Sequence, residues 1–395
     1  MNNSKKFIIL LFVVIGFIST VFYAFASSNP LDKKIEAMTI EEKIGQMLMF
    51  GIVGNSVNEE AFYFIQTHHI GGVILTKSNS KSARQLLSLT NKIKETNAKY
   101  NEIPIFISTD EEGGLVTRMP REIENLPESM TIGEHGDVGL AYQVGAAIGK
   151  RVGGFGFNIT LAPVLDINSN PKNPVIGRRA FGSSSEVVES MGLAELKGIR
   201  SQNIIPVVKH FPGHGDTDVD SHKGLPVIRH DFERLNRLEL VPFKRAIEEQ
   251  ADMVMVAHIL IPKVDKKNPA SLSKKLISDV LRDELEFNSV VITDDLGMGA
   301  IKEHGAIGES AVKSVLAGTD ILLVNYGTQN MMDVITAVGE AVRGGRLTEE
   351  RINESVYRIL KLKEKYELAD AKIKEVDIEG INEASEEILR ELVKW

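Results

Sequence analysis

Eight short apolar stretches recur along this chain, and each is followed by an amphipathic segment. They contain few polar interruptions, as expected for strands that are buried on both faces of a parallel sheet. The stretches lie at residues 46–52, 71–76, 104–110, 159–166, 205–211, 253–259, 290–295 and 320–325. The alternation predicts a parallel sheet, and eight strands predict an α/β fold of the closed (β/α)8 TIM-barrel type. A doubly wound open sheet is the alternative, because a count of eight does not prove closure.

Helix signals lie between these stretches. Thr39 and Glu42 have the spacing of a capping box, and Ser183 and Glu186 repeat it. Thr348 is placed to cap a further helix near the end of the chain. These signals support helices that alternate with the predicted strands.

The domain organisation follows from where the strand and helix patterns stop. Residues 31–370 are predicted to form one barrel domain, and residues 371–395 a polar, helix-forming tail packed on its outside. A monomer is expected.

The first 26 residues have the pattern of an export signal. Lys5 and Lys6 precede an uncharged stretch over residues 7–26 that ends in Ala-Phe-Ala, which is typical of a cleaved signal peptide. An uncleaved membrane anchor is the alternative, because an uncharged stretch of about 20 residues can span a bilayer. A lipoprotein anchor would need a cysteine, and the chain has none. In either case the rest of the protein is expected outside the cytoplasm, secreted or membrane-anchored.

Charge and cysteine content exclude several classes of function. The 395 residues include 46 Lys and Arg against 54 Asp and Glu, for a formal net charge of −8. A surface that binds nucleic acid needs an excess of Lys and Arg, so nucleic acid is not expected as a partner. The absence of cysteine excludes disulfides, thiolate zinc sites, iron–sulfur clusters and a cysteine nucleophile.

Polar side chains stand at the C-terminal ends of five apolar stretches, which is the face where barrel enzymes carry their active sites. These residues are Asp110, Asp166, Lys209, His210, His258, Asp294 and Asp295. Each one alone could have a purely structural role, as a helix cap or as a hydrogen-bonded histidine of the core. Five such ends at one level of the same barrel favour an active site.

The segment 209–226 is the densest in ionisable residues, and three functions would fit such a segment. A calcium loop is excluded because the sixth position is Ser221 and the twelfth is Val227, where Gly and Glu are required. A catalytic metal site lacks a supporting ligand spacing. Acid–base chemistry fits best, since Asp220 and His222 lie two residues apart and a carboxylate on one imidazole nitrogen fixes the tautomer of the other.

A carboxylate at the end of a buried strand is held rigidly enough to act as a nucleophile or charge stabiliser. Asp294 occupies that position in the segment 290–298. Its structural alternative is a cap for the next helix, a role that Asp295 could fill equally well.

Five motifs together resemble glycoside hydrolase family 3, in particular the β-N-acetylglucosaminidases of bacterial cell-wall recycling. They are DEEGGLVTR at 110–118, LAPVLDI at 161–167, NPVIGRRAFG at 173–182, KHFPGHGDTDVDSH at 209–222 and TDDLGM at 293–298. The resemblance implies that residues 31–370 form the family's N-terminal catalytic barrel. It also implies a retaining exo-hydrolase that needs no cofactor or metal and acts on terminal N-acetyl-β-glucosamine of cell-wall fragments. Many members carry a second α/β sandwich domain, which is not expected after residue 370.

The resemblance also implies residue roles. Asp294 would be the nucleophile and His222 the general acid/base, with Asp220 as its partner. The residues that would hold the sugar are Asp110, Arg179, Lys209 and His210. Asp110 would accept hydrogen bonds from sugar hydroxyl groups. Arg118 and Asp166 would have supporting, mainly structural roles.

Alternatives remain open at this point. Within the same fold, the chain could be a β-glucosidase, or a phosphorylase in which phosphate replaces water, because a neutral histidine tolerates an incoming anion better than a carboxylate does. In a different class, it could be a non-catalytic sugar-binding protein of the cell surface. A metal-dependent barrel hydrolase is the remaining alternative.

Overall fold

The computed structural model describes residues 29–394. The predicted signal or anchor segment, residues 1–26, lies outside the described residues. The described residues divide into two compact units, residues 29–38 and 39–394. In the first unit, helix α1 (Pro30–Ala37) begins after Asn29, whose side-chain oxygen accepts the N–H of Leu31.

The second unit contains eight parallel strands that form a closed barrel. They are β1 (Leu48–Gly51), β2 (Gly72–Leu75), β3 (Phe106–Thr109), β4 (Ile159–Thr160), β5 (Ile205–Phe211), β6 (Met253–Val256), β7 (Val290–Thr293) and β8 (Leu322–Val324). Each strand pairs with its neighbours in the chain, and β1 also pairs with β8. A bridge between Ile292 and Ile321 joins β7 to the start of β8. The predicted (β/α)8 barrel is therefore confirmed, and the open doubly wound sheet is not.

Helices surround the barrel in the described part of the second unit. They are α2 (Ile40–Gln46), α3 (Glu59–His68), α4 (Ala83–Tyr100), α5 (Ser129–His135), α6 (Val138–Gly154), α7 (Ser185–Ser201), α8 (Phe232–Arg237), α9 (Val241–Glu248), a π-helix (Lys275–Glu284), α10 (Gly299–Lys302), α11 (Ile307–Ala317), α12 (Thr328–Arg343), α13 (Glu349–Lys365) and α14 (Ile378–Val393). Within residues 29–394, none of the helices combines the length and the apolar character needed to cross a bilayer.

Two of the three predicted helix caps are confirmed. Thr39 and Glu42 form a reciprocal capping box at the start of α2, and the Thr348 side chain caps α13. The cap predicted at Ser183 is wrong by one residue, because the hydroxyl of Ser184 accepts the N–H of Val187 at the start of α7. Adjacent serines offer the same capping chemistry, and only the path of the backbone selects between them.

Every residue of the eight strands is buried. One face of each strand packs inside the barrel and the other packs against the helices, which explains the unbroken apolar stretches in the sequence. Since the strands are parallel, the segments that follow their C-terminal ends meet on one face of the barrel. The predicted helical tail is present as α14, which packs against α6 with Ile381 and Ile388 buried.

Candidate active site

A cavity of about 890 Å³ opens at the C-terminal ends of the strands. All seven residues predicted from the sequence to act in catalysis or sugar binding line it. They are Asp110, Arg179, Lys209, His210, Asp220, His222 and Asp294. Lys209 and His210 lie in β5, and the other five lie on segments that follow β3, β4, β5 and β7, so folding of the barrel is what brings them together.

Asp294 directly follows β7, and its N–H donates to the carbonyl of Val256 at the end of β6. Oδ1 of Asp294 accepts the backbone N–H of Asp295 at 2.8 Å. Burial opposes ionisation of Asp294, but the nearby imidazoles of His258 and His210 hold the pKa of its carboxyl below the usual value. The carboxylate is therefore ionised at neutral pH, as a nucleophile must be.

Neither aspartate caps the helix that follows β7. Helix α10 begins after Met298, with no side-chain cap. The Oδ1 of Asp295 instead accepts the N–H groups of Gly297 and Asn325, at 2.8 and 3.0 Å. Burial raises the pKa of the Asp295 carboxyl. The two adjacent carboxyl groups thus have different surroundings, and Asp294 is the one favoured as an anion.

Asp220 and His222 form the pair that their spacing predicted. The Oδ1 of Asp220 lies 2.9 Å from Nδ1 of His222 and accepts the N–H of the same residue at 2.9 Å. Desolvation of Asp220 opposes its ionisation, but these contacts hold the pKa of its carboxyl below the usual value. The His222 side chain is 68% exposed at the mouth of the cavity. Its Nε2 is left available for proton transfer.

His214 supports this pair, and the sequence analysis missed that role. Its ring is buried, with Nδ1 2.8 Å from Oγ1 of Thr217 and Nε2 3.1 Å from Oγ of Ser221. Burial lowers the pKa of His214 to about 4, so the ring is neutral at neutral pH. Ser221 stands between Asp220 and His222, and its carbonyl accepts the N–H of Ala300. The segment between the two members of the pair is therefore held from both sides.

Buried charges organise the floor of the cavity. Nζ of Lys209 lies 2.8 Å from Oδ1 of Asp110 and 2.6 Å from Oε1 of Glu112. The guanidinium of Arg179 binds both oxygens of Glu112, each at 2.8 Å. Burial of Glu112 opposes ionisation, but these two cations hold the pKa of its carboxyl far below the usual range. Glu112 was not singled out from the sequence, since it looks like any other acid in a Gly-rich loop.

Asp166 orients His210. Its Oδ2 lies 2.6 Å from Nδ1 of His210, and its Oδ1 accepts the N–H of His214 at 2.6 Å. Asp166 is fully buried, which opposes ionisation, but the His210 imidazole keeps the pKa of the carboxyl below the usual value. Arg118 lines the cavity beside Asp110, with Nη2 3.9 Å from Oδ2 of that residue.

Other ionisable residues singled out at the strand ends and in the loop have partners of their own. His258 is buried, with Nδ1 2.6 Å from Oγ of Ser271 and Nε2 2.9 Å from the carbonyl of Asp295. Asp216 lies 2.5 Å from Nε2 of His230, measured from Oδ2. In residues 29–394, no three His, Cys, Asp or Glu side chains are grouped to hold a metal ion.

The chain is similar in sequence to known proteins. Residues 39–362 match the model of the N-terminal domain of glycosyl hydrolase family 3. Beta-hexosaminidase A of Pseudoalteromonas piscicida is 35% identical over 333 residues, which are 78% of this chain and 56% of that protein. The chain thus spans little more than half the length of this relative.

Two solved structures are similar in fold. A family 3 β-N-acetylglucosaminidase from Paenibacillus is 39% identical with a TM-score of 0.83, and the match covers 89% of this chain and 68% of that one. The β-glucoside phosphorylase BglX, solved bound to 2FGlc, is 25% identical with a TM-score of 0.82, and the match covers 92% of this chain and 66% of that one.

Proposed function

The chain belongs to glycosyl hydrolase family 3, and on this premise we propose that it is a retaining exo-β-N-acetylglucosaminidase. Its substrates would be glycans that end in N-acetyl-β-glucosamine at the non-reducing end, with peptidoglycan fragments as the natural source. The curated relative and the Paenibacillus neighbour support the choice of sugar through their names. The motif resemblance supports the choice of source.

One observation carries the proposal: the Asp294 carboxylate and the Asp220–His222 pair line the same cavity. In the first step, an oxygen of Asp294 attacks the anomeric carbon as the bond to the leaving oxygen breaks. Protonated His222 gives its Nε2 proton to that leaving oxygen. The product is a glycosyl ester on Asp294, and His222 is left neutral.

In the second step, Nε2 of neutral His222 takes a proton from water, and the water oxygen attacks the anomeric carbon. The ester bond to Asp294 breaks, which releases the sugar with its original β configuration and restores protonated His222. Asp220 holds Nδ1 in both steps, so the proton moves only at Nε2.

The remaining predicted residues would hold the sugar. Asp110 accepts hydrogen bonds from sugar hydroxyl groups, Lys209 and Arg179 donate to sugar oxygens, and His210 contacts the sugar through Nε2. Lys209 and Arg179 are fixed by Glu112, and His210 is fixed by Asp166. Such prior fixing lowers the entropy that is lost when a substrate binds.

Product analysis on 4-nitrophenyl N-acetyl-β-glucosaminide tests the proposal. We expect release of nitrophenol together with N-acetylglucosamine, and NMR at early times should show the β anomer first. Asp294→Ala should lose nearly all activity, whereas Asp283→Ala, on an exposed position of the π-helix, should keep it. An inactive natural chain, or an α anomer as the first product, would refute the proposal.

Phosphorolysis is a second candidate, favoured by the likeness to the BglX phosphorylase. A neutral imidazole at position 222 adds no negative charge that would repel an incoming phosphate. Rates and products should be compared with and without inorganic phosphate. Formation of N-acetylglucosamine 1-phosphate would assign the chain to this class, and free sugar at an unchanged rate would assign it to the hydrolases.

We also propose that the enzyme works outside the cytoplasm, on the basis of the Lys5–Lys6 pair and the uncharged stretch after it. Mass spectrometry of the protein from its own cells would decide between the two forms. An N-terminus at Ser27 indicates cleavage, and an intact N-terminus in the membrane fraction indicates anchoring. An intact chain in the cytoplasm would overturn the proposal.

A further inference from the structure

We infer that the C-terminal helix α14 acts as a brace for the sugar-binding loop, residues 110–118, and that Asn382 and Ser385 are positioning residues for substrate binding. The inference rests on the proposed function, because it assumes that Asp110 and its neighbours hold the sugar. It assigns a role to the helical tail, which the catalytic chemistry itself does not use.

Successive residues after β3 face opposite ways. Asp110 and Glu112 contact Nζ of Lys209 and so face the charged floor of the cavity. Glu111, between them, is fully buried and contacts the guanidinium of Arg151 on α6 instead. The contacts that fix Glu111 therefore also fix the positions of its neighbours Asp110 and Glu112.

Glu111 joins the two ends of the loop. Its Oε2 accepts the Thr117 hydroxyl at 2.9 Å and the N–H of Arg118 at 2.8 Å. Its Oε1 accepts from Nη1 of Arg151 at 2.9 Å. One carboxylate thus fixes the start of the loop near Asp110, its end at Arg118, and the attachment of both to α6.

Arg151 links Glu111 to the C-terminal tail through hydrogen bonds. Its side chain is fully buried, and Nη2 donates to Oγ of Ser385 at 2.7 Å and to the carbonyl of Glu124 at 3.0 Å. Ser385 is itself fully buried within α14. A buried guanidinium needs partners for its donors, so removal of the Ser385 hydroxyl leaves Arg151 free to rearrange and to release Glu111.

Asn382 lies one turn before Ser385 and holds the same segment directly. Its Oδ1 accepts the N–H of Glu124 at 2.8 Å, and its Nδ2 donates to the carbonyl of Glu122 at 3.0 Å. Residues 382 and 385 share one face of α14, since they are three apart. Two neighbouring side chains of the tail therefore hold the stretch that follows the sugar-binding loop, Asn382 directly and Ser385 through Arg151.

The test compares Asn382→Ala and Ser385→Ala with Lys150→Ala. Lys150 is the matched control, because its Nζ donates to the carbonyl of Gly380 and so joins α6 to the tail without touching the loop. The first measurement is amide hydrogen exchange over residues 111–124. The second is KM and kcat on the nitrophenyl glycoside, with melting temperature recorded for all three variants.

We expect faster exchange over residues 111–124 in Asn382→Ala and Ser385→Ala, but not in Lys150→Ala. KM should rise roughly fivefold or more in these two variants with kcat nearly unchanged, because Asp294 and His222 stand on other segments. Ser385→Thr, which keeps the hydroxyl, should restore the wild-type KM. Asn382→Ala alone carries the test if Ser385→Ala does not fold.

Exchange that is unchanged over residues 111–124 would overturn the inference, as would faster exchange with an unchanged KM. Equal changes of KM in Lys150→Ala would overturn it too, since the tail would then contribute stability alone. An inactive wild-type enzyme would refute the proposed function instead. In that case the exchange measurement would still decide whether the tail holds the loop.

Discussion

The imidazole of His222 is fixed at one nitrogen and free at the other. A single oxygen of Asp220 receives both the backbone N–H and Nδ1 of His222, so the ring is oriented by its own neighbour in sequence. His222 needs this support, since its side chain is largely exposed. Asp294 differs, because it is held by the rigid end of β7. The acid/base group therefore sits on a loop and the nucleophile on the scaffold.

His222→Ala should slow the enzyme most on substrates with poor leaving groups. A general acid contributes roughly 10²- to 10⁴-fold when the leaving oxygen needs a proton, and far less when the departing anion is stable. The measurement is kcat/KM on a series of aryl N-acetyl-β-glucosaminides of decreasing leaving-group pKa. Asp218→Ala, at an exposed position of the same loop, is the control and should leave the series unchanged. Equal slowing across the series would contradict the acid role.

The site residues found from the sequence have a recognisable position or a local partner, whereas those that were missed have partners that only the folded chain brings near. Asp110, Lys209 and Asp294 were found because strand ends in a barrel share one face, and the Asp220–His222 pair because its contact is local. Glu112 and His214 were missed because their partners lie far away or look ordinary in sequence. The partners of Glu112 are 67 and 97 residues downstream, at Arg179 and Lys209. Those contacts exist only after the barrel closes.

At the scale of elements, the loop after β5 carries the acid/base pair between two tied ends. Asp216 near its start pairs with His230 near its end, with Oδ2 and Nε2 2.5 Å apart. Ile228 donates its N–H to the carbonyl of Leu260, which fixes the later end against the segment after β6. The loop is thus closed at its base, while His222 at its tip stays exposed.

Asp216→Ala should loosen this base and lower kcat. The two side chains are about one-third exposed, so their contact contributes at most about 1 kcal/mol, and we expect a decrease in kcat of up to roughly fivefold. Steady-state kinetics of the variant and the wild type would measure it. Arg229→Ala, exposed beside His230, is the control. A kcat equal to that of wild type would show that the contact has no catalytic role.

The elements themselves were largely predictable, and their exact ends were not. All eight strands lie within the apolar stretches, because strands buried on both faces read as continuous apolar sequence. The start of α7 was placed one residue early, since Ser183 and Ser184 are equivalent caps until the backbone path is known. The tail was predicted as a helix, but its grip on Arg151 was not, because Ser385 is 234 residues away in sequence.

At the scale of the whole molecule, Glu195 on α7 makes stability depend on pH. Burial raises the pKa of its carboxyl to about 8, and the negative charge of Glu112 adds to the effect. Between pH 4.5 and 8 the folded protein keeps a proton on Glu195 that the unfolded chain has released. The free energy of unfolding must therefore fall as pH rises through this range.

Glu195→Gln should remove that dependence, because the amide keeps the shape of the protonated acid and cannot ionise. From pH 5 to pH 8 the variant should lose less unfolding free energy than the wild type, by at least about 1 kcal/mol. Denaturant unfolding at both pH values measures the difference. Glu233→Gln, an exposed position on α8, should behave like wild type. Parallel pH profiles for wild type and Glu195→Gln would contradict the assignment.

Closure of the barrel through Ile292 and Ile321 has a consequence for how the protein is made. Until the ribosome has added β8, both β1 and β7 are edge strands whose backbone groups invite pairing with other chains. Strand β8 therefore closes the barrel and also completes the sheet around β7, the strand that carries Asp294 at its end. A polypeptide that stops before residue 322 is therefore expected to aggregate during biosynthesis instead of surviving as a weaker enzyme.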